Sequence, residues 1–234
     1  MDEKKKLRLK KIISLVSVGI VLAILGFFTW FFIAKFKEIG SAENFKEYVL
    51  SFGAAGVFVG LGLQFLQVFV ALIPGEAVEI GLGYAFGAVR GTLICYAGLV
   101  IASAAVFLLV KKFGVKIVEL FFSSEQIHNV RFLRNTVGNP ERLRKITFLL
   151  FFIPGTPKDL FTYVLGLTPL TLKEFLSISM IARIPSVVSS TVGGMLIHNG
   201  NYVTAGILFA VTAALSAAGW FCYDRYNKKK HDEI

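Results

Sequence analysis

Long apolar runs separated by short charged stretches organise this chain. Residues 12–34, 53–73, 91–110, 175–197 and 202–222 are apolar runs of roughly twenty residues, the length a helix rising 1.5 Å per residue needs to cross a hydrocarbon core of about 30 Å. Runs at 77–89, 146–153 and 160–167 are shorter. The first of these reaches about 20 Å and the second about 12 Å, so neither crosses alone. Two runs are interrupted by the same phrase, Ile73-Pro74-Gly75-Glu76 leading to Glu79, and Ile153-Pro154-Gly155-Thr156-Pro157 leading to Lys158 and Asp159. Proline lacks an N–H and glycine tolerates any backbone angle, so each phrase ends a helix. The pattern predicts two hairpins, over 53–89 and 146–168, with breakers Pro74 and Gly75 in one and Pro154, Gly155 and Pro157 in the other.

Composition agrees with a membrane protein. Of 234 residues, 55% are hydrophobic and 17% charged, with 23 Phe, more apolar surface than a soluble domain of this size hides. The net charge of +10 does not mark a nucleic-acid binder, because the basic residues cluster at the ends of apolar runs rather than along a folded face. Lys4, Lys5, Lys6, Arg8, Lys10 and Lys11 precede the first run, and Arg225, Lys228, Lys229 and Lys230 follow the last. The first run has the basic start of a signal peptide but no small-x-small cleavage site, and is read as a retained spanning helix.

Charge also sets the topology. If 53–73 crossed fully, the segment 111–145, with eight Lys and Arg, and the Lys-rich C-terminus would both face outward, against the positive-inside rule. If instead 53–89 enters and leaves on the outer side and 146–168 on the inner side, four full spans remain. Both termini and 111–145 then face the cytoplasm, leaving Lys35, Lys37, Lys46 and Arg90 outside, offset by Glu38, Glu43 and Glu47. The expected fold is all-α and integral to the membrane: about four transmembrane helices plus two opposed re-entrant hairpins.

Each hairpin is preceded by a stretch of surface-helix character. Phe45, Tyr48, Val49 and Phe52 fall at i, i+3, i+4, i+7 after a Ser41 N-cap, and Ile127, Val130, Leu133 and Val137 stripe a second helix from Ser123, with Gln126 in capping-box register. Both suit the interface, or helices packed on the protein itself. The layout then reads as a repeat, with copies at about 40–110 and 123–198. Ile73-Pro74-Gly75 matches Ile153-Pro154-Gly155, Glu79 matches Asp159, Tyr84-x-x-Gly87 matches Tyr163-x-x-Gly166, and Thr92-Leu93 matches Thr171-Leu172. An odd number of crossings separates the copies, so they are inverted, a recurrent transporter plan in which broken helices mark the substrate site.

The candidate site residues are Glu76, Glu79, Lys158, Asp159 and Arg183. At about 2.5–3.5 kcal/mol each near a bilayer centre, exposing all five to lipid costs on the order of 12–18 kcal/mol, beyond a typical folding stability of about 5–15 kcal/mol. They must pair, protonate or meet water. Three acids and two bases nearly neutralise one another and leave one carboxylate, Glu76 or Glu79, to load and release a proton; the alternative is a structural salt-bridge core. Arg183 lies two residues before Pro185 within the run 175–197. Its guanidinium suits a phosphate clamp or an ion pair with Asp159 or Glu79.

Other chemistry finds little support. Cys95 and Cys222 stand alone in apolar stretches, and His128, His198 and His231 have no ligand spacing. Gly83, Gly87 and Gly91, like Gly193 and Gly194 with their neighbouring serines, read as close-packing positions. No Gly-x-Ser-x-Gly, His-Glu-x-x-His or phosphate-loop signature occurs, so neither an enzyme nor a cofactor is expected.

Taken together, Pro154-Gly155-Thr156-Pro157-Lys158-Asp159, Tyr163-x-x-Gly166-Leu167-Thr168, Ala182-Arg183-Ile184-Pro185-Ser186 and the upstream Pro74-Gly75-Glu76 resemble the VTT-domain family, the SNARE-associated Golgi protein superfamily that includes DedA. The resemblance covers roughly 40–200. It divides the chain into a basic tail and first spanning helix at 1–39, a VTT-like membrane domain at 40–200, and a last spanning helix with basic tail at 201–234. It implies two facing re-entrant hairpins and lipid handling or ion-coupled transport. One departure stands out: many members carry an arginine just before the second hairpin's proline, where this chain has Leu150, Phe151 and Phe152, and Lys158 is the charge available to replace it.

The leading expectation is translocation of a phospholipid or polyprenyl-phosphate headgroup, with membrane lipids, and protons besides, as partners. Proton-coupled transport of a small solute or ion, and a non-transporting membrane organiser, are the alternatives. The resemblance places the protein in a bacterial plasma membrane; oligomeric state is not legible.

Overall fold

The computed structural model describes residues 41–70, 74–118, 139–153 and 156–231. The expected first span at 12–34, the second surface helix from Ser123, His128, and the breakers Pro154 and Gly155 lie outside the described residues. Among those described, every regular element is helical: α1 Ala42–Ser51, a 3-10 turn Gly53–Ala55, α2 Gly56–Val70, α3 Gly75–Phe86, α4 Ala88–Phe113, the short α5 Val115–Val118, α6 Pro140–Phe152, α7 Lys158–Gly166, α8 Leu172–His198 and α9 Tyr202–His231. The chain divides into two compact units, Met1–Phe45 and Lys46–Ile234, and all helices from α2 onward belong to the second.

Local chemistry explains the boundaries. The Ser41 hydroxyl accepts from the Asn44 N–H at 3.2 Å, the expected N-cap of α1. Helix α3 starts directly after Pro74 and stops at Gly87, whose φ of 78° is a backbone angle that glycine adopts without penalty. Helix α4 then runs 26 residues to Gly114 and carries Lys111 and Lys112 in its last turn, where cations complement the helix dipole. Lys111 also reaches out to close the end of α7, donating to the carbonyls of Thr168 at 2.5 Å and Leu170 at 3.0 Å. Asn139 caps α6 through the Arg142 N–H at 3.0 Å. A full capping box, Thr171 with Glu174, opens α8.

Four helical stretches are long and apolar enough to cross a membrane: Gly53–Val70, Ala88–Phe113, Leu172–His198 and Tyr202–Gly219. The last three coincide with expected spans. The first includes the 3-10 turn Gly53–Ala55 ahead of α2.

Helices α2 and α3 run antiparallel about the Pro74 break. Near the open end, a side chain on Gly60 would meet Leu82 Cδ2 at 2.9 Å, and near the tip one on Gly75 would meet Gln67 Oε1 at 3.0 Å. The two long helices α4 and α8 lie side by side at the centre, with α3 against α8, α7 against α4, α6 against α8 and α9 along α8. Gly83 and Gly194 let α3 and α8 touch backbone to backbone, at Thr191 and Ile80. An aromatic core fills the other end: Phe107 stacks on Phe175 at 4.6 Å, Phe151 meets Phe175 edge-on at 5.9 Å, and Leu143, Leu165 and Leu170 close around them.

Candidate functional site

Helix α8 is the common wall of the site. Its first half packs beside α6 and its second half against α3, and both broken elements present their charged ends near its middle, around Pro185. That proline, the fourteenth of 27 residues in α8, has no N–H to give the Ile181 carbonyl.

From the second broken element come Lys158 and Asp159, the first two residues of α7 after Pro157. The Asp159 carboxylate accepts from Arg183 Nη2 at 3.0 Å, and the guanidinium lies over the Phe151 ring at 4.8 Å. Of the two expectations for Arg183, this is the ion pair. The pair is single rather than forked, and the buried Arg183 Nε has no partner among the described residues. Lys158 behaves differently. Its ammonium, 9% exposed, donates to the Ser186 hydroxyl at 2.6 Å, and Ser186 in turn donates to the Arg183 carbonyl at 3.1 Å. The amine is thus bonded to a neutral oxygen, with no carboxylate in direct hydrogen-bonding contact among the described residues.

From the first broken element come Glu76, half-buried, and Glu79, 6% exposed. Glu79 lies beside Ser190 of α8 and interacts electrostatically with Lys158, Glu76 and Arg183. Lys158 likewise feels Arg183, Glu79, Glu76 and Asp159. The five residues named from the sequence thus converge on one region, from α3, α7 and α8. Within it, Arg183–Asp159 is a direct ion pair, and Glu79 Oε2 has no hydrogen-bond partner among the described residues.

A direct hydrogen bond joins the two broken elements: the Tyr163 hydroxyl of α7 donates to the Phe69 carbonyl at the end of α2. Nearby, Thr156 closes the end of α6 by donating to the carbonyls of Leu150 at 2.6 Å and Ile153 at 2.8 Å, two of those a helix terminus leaves open. Thr92 and Thr191 share a hydrogen bond at 2.6 Å between α4 and α8.

Two expectations need correction. Pro74 and Pro157 both occupy the N-cap position, so helix register sets Pro74 level with Pro157 rather than Pro154. Glu76, not Glu79, then stands in the same first-turn position as Asp159. The matched glycines also differ, since Gly87 ends α3 with positive φ whereas Gly166 is a helical residue packed on Val110. Phrase matching misjudged this because the second break holds two prolines three residues apart. Sequence reasoning also passed over Ser186 and Ser190 as packing residues, and did not single out Gln64, Gln67 and Ser103, all of them buried. Two glutamines in an otherwise apolar run were the available signal.

The described residues contain no group of three His, Cys, Asp or Glu able to hold a metal. What the arrangement offers is two buried cations and a partly paired set of carboxylates inside an apolar shell. Comparison with curated proteins returned no match, and neither did comparison with solved structures. The VTT domain family model matches residues 73–195, just over half of the chain, from the first break through the charged stretch of α8. The chain is a multi-pass membrane protein of the VTT domain family.

Proposed function

We propose that this protein translocates lipid by passing an anionic headgroup, of phospholipid or polyprenyl-phosphate type, through the charged region between the two broken elements. One observation carries the reading: Lys158 is a buried amine whose direct partner is a hydroxyl, beside an arginine whose Nε has no partner among the described residues. Two cations a short step apart, one bonded to a neutral oxygen, match a phosphate that arrives with its own charge and replaces Ser186 and Asp159 as partner.

The membrane plan belongs to the same proposal. Helices α2 and α3 form a re-entrant hairpin from the outer side, α6 and α7 one from the inner side, and both termini are cytoplasmic in a bacterial plasma membrane. An inverted repeat is supported by the exchange of neighbours between halves: Gly83 of α3 packs on α8, and Gly166 of α7 packs on α4. The apolar residues exposed on α9, among them Val203, Ile207, Val211 and Leu215, suit contact with lipid tails.

The test is fluorescent-lipid accessibility to a membrane-impermeant quencher in liposomes holding the full chain. Lipid exposure rises with protein, and Lys158→Gln removes the rise while the variant remains monodisperse in detergent. An unchanged rate in Lys158→Gln rejects the headgroup site. A second reading, proton-coupled transport of a small solute or ion, draws on the unpartnered oxygen of Glu79; there, internal pH follows an imposed solute gradient and Glu79→Gln abolishes the response.

A further inference from the structure

Helix α4 borders the charged region through a neutral side chain, Tyr96. Its hydroxyl donates to the Met180 carbonyl of α8 at 3.3 Å, beyond the range of about 2.5–3.0 Å usual between two oxygens. A helical carbonyl points at the residue four positions on, so the Met180 oxygen lies against the backbone of Arg183 and Ile184, and the phenol meets α8 there. The Arg183 side chain leans back toward the N-terminus of α8, as helical side chains do, which carries it past the same carbonyl. Tyr96 accordingly interacts electrostatically with Arg183, and with Glu79 as well. One turn earlier on α4, Thr92 holds Thr191 at 2.6 Å, which fixes the two helices side by side at this level.

The guanidinium beside the phenol is half used. Arginine presents Nε–H and Nη2–H along one edge, a fork that fits two oxygens of a phosphate. On Arg183 that edge is engaged at Nη2, by Asp159 at 3.0 Å. Its Nε, on a residue 2% exposed, has no partner among the described residues. A buried donor left unmade costs stability, and an acceptor oxygen brought by a ligand relieves that cost. The phenol can join it, because it gives up only a long bond to a backbone oxygen. Being neutral, it also meets an anion without the repulsion that a carboxylate exerts.

We infer that Tyr96 is a further residue of the headgroup site: its hydroxyl leaves the Met180 carbonyl and donates to a phosphate oxygen held on the Nε–Nη2 edge of Arg183. Only hydrogen bonds change, and the phenol keeps its proton. The ligand chemistry is a phosphate group, carried on a lipid or free in solution. The inference rests on the proposed function in assigning Arg183 to the headgroup, and adds a ligand from α4.

Isothermal titration calorimetry of the full chain in maltoside micelles tests this with two probes, decyl phosphate and inorganic phosphate. Decyl phosphate binds the wild type, and Tyr96→Phe, which removes only the hydroxyl, raises its Kd about 10-fold or more, as loss of a hydrogen bond to a charged group does. Arg183→Lys keeps the charge without the edge and also weakens binding; adding Tyr96→Phe to it then has little further effect, the coupling of two groups on one oxygen. Inorganic phosphate binding with the same dependence supports the site and makes free phosphate its ligand, whereas binding of decyl phosphate alone makes it a lipid site. Should Tyr96→Phe not fold, Tyr96→Met is read in its place. A wild type that binds neither probe overturns the inference, as does an unchanged Kd in folded Tyr96→Phe. A hydroxyl that only ties α4 to α8 gives that second result, with a lowered unfolding temperature. Lipid translocation measured on the same preparations separates the two readings. Wild-type movement of lipid with an unchanged Kd in Tyr96→Phe rejects Tyr96 and leaves the headgroup reading, whereas Tyr96-dependent binding without translocation rejects that reading and leaves the phosphate site.

Discussion

The two broken elements solve the same problem, charge inside an apolar fold, by different means. The first, α2 and α3, seats its carboxylates by backbone contact: Gly83 lies on Thr191 and Gly194 on Ile80, and Glu79 comes to rest against Ser190. The second, α6 and α7, is tied by side chains, through Arg183–Asp159 at 3.0 Å, Lys158–Ser186 at 2.6 Å and the aromatic core under Phe151. A contact between backbones tolerates almost no change in side-chain volume, whereas one made by long side chains can part and reform. The difference teaches that the second element holds its charges through contacts that can part and reform, and the first through contacts that cannot.

Breaking the ion pair should have the largest effect. Asp159→Ala leaves Arg183 buried and unpaired, a loss of about 3–5 kcal/mol for a well-buried pair, and thermal unfolding followed by tryptophan fluorescence in detergent should show it. Next comes the backbone contact. Gly83→Ala sets a methyl group against the Thr191 backbone and should cost about 1–3 kcal/mol. Gly166→Ala meets Val110 Cβ at 2.8 Å and the Phe107 carbonyl oxygen at 3.2 Å, against the closer approach of the Thr191 carbonyl oxygen at Gly83, and should cost less because the overlap is smaller. Equal losses for the two glycines would erase the contrast. Lys158→Met should be close to neutral for folding, within about 1 kcal/mol, since replacing a buried charge by an apolar chain relieves desolvation; lipid accessibility should fall to the protein-free level. The smallest effect is Asn139→Ala, which removes the N-cap of α6 for about 1 kcal/mol or less and should leave the first element untouched, as hydrogen exchange would report.

Much of this arrangement was legible because charge is costly in an apolar run. Glu76, Glu79, Lys158, Asp159 and Arg183 stood out for that reason, and the structure brings them to one region. The spans at α4, α8 and α9 followed from length. Neutral polar residues were harder to weigh. Ser186 reads like any small helix-packing residue until its distance to Lys158 is known, and Gln64 lacks the formal charge that drew attention to the acids. Register was the other gap: with Pro154 and Pro157 both able to stop a helix, phrase matching took the first, and the helix starts after the second. Whether Arg183 pairs with Asp159 or Glu79 depended on the rotation of α7 against α8, which no local pattern encodes.

The Tyr163 hydroxyl of α7 donates to the Phe69 carbonyl of α2 from the opposite half of the chain. The position of α2 along its own axis is thereby gauged by α7. A slide of α2 by one helical turn, about 5.4 Å, would carry that oxygen out of the tyrosine's reach. A single phenol acts as a ruler between the halves, and any movement that slides or rotates α2 is felt by the helix that presents Lys158.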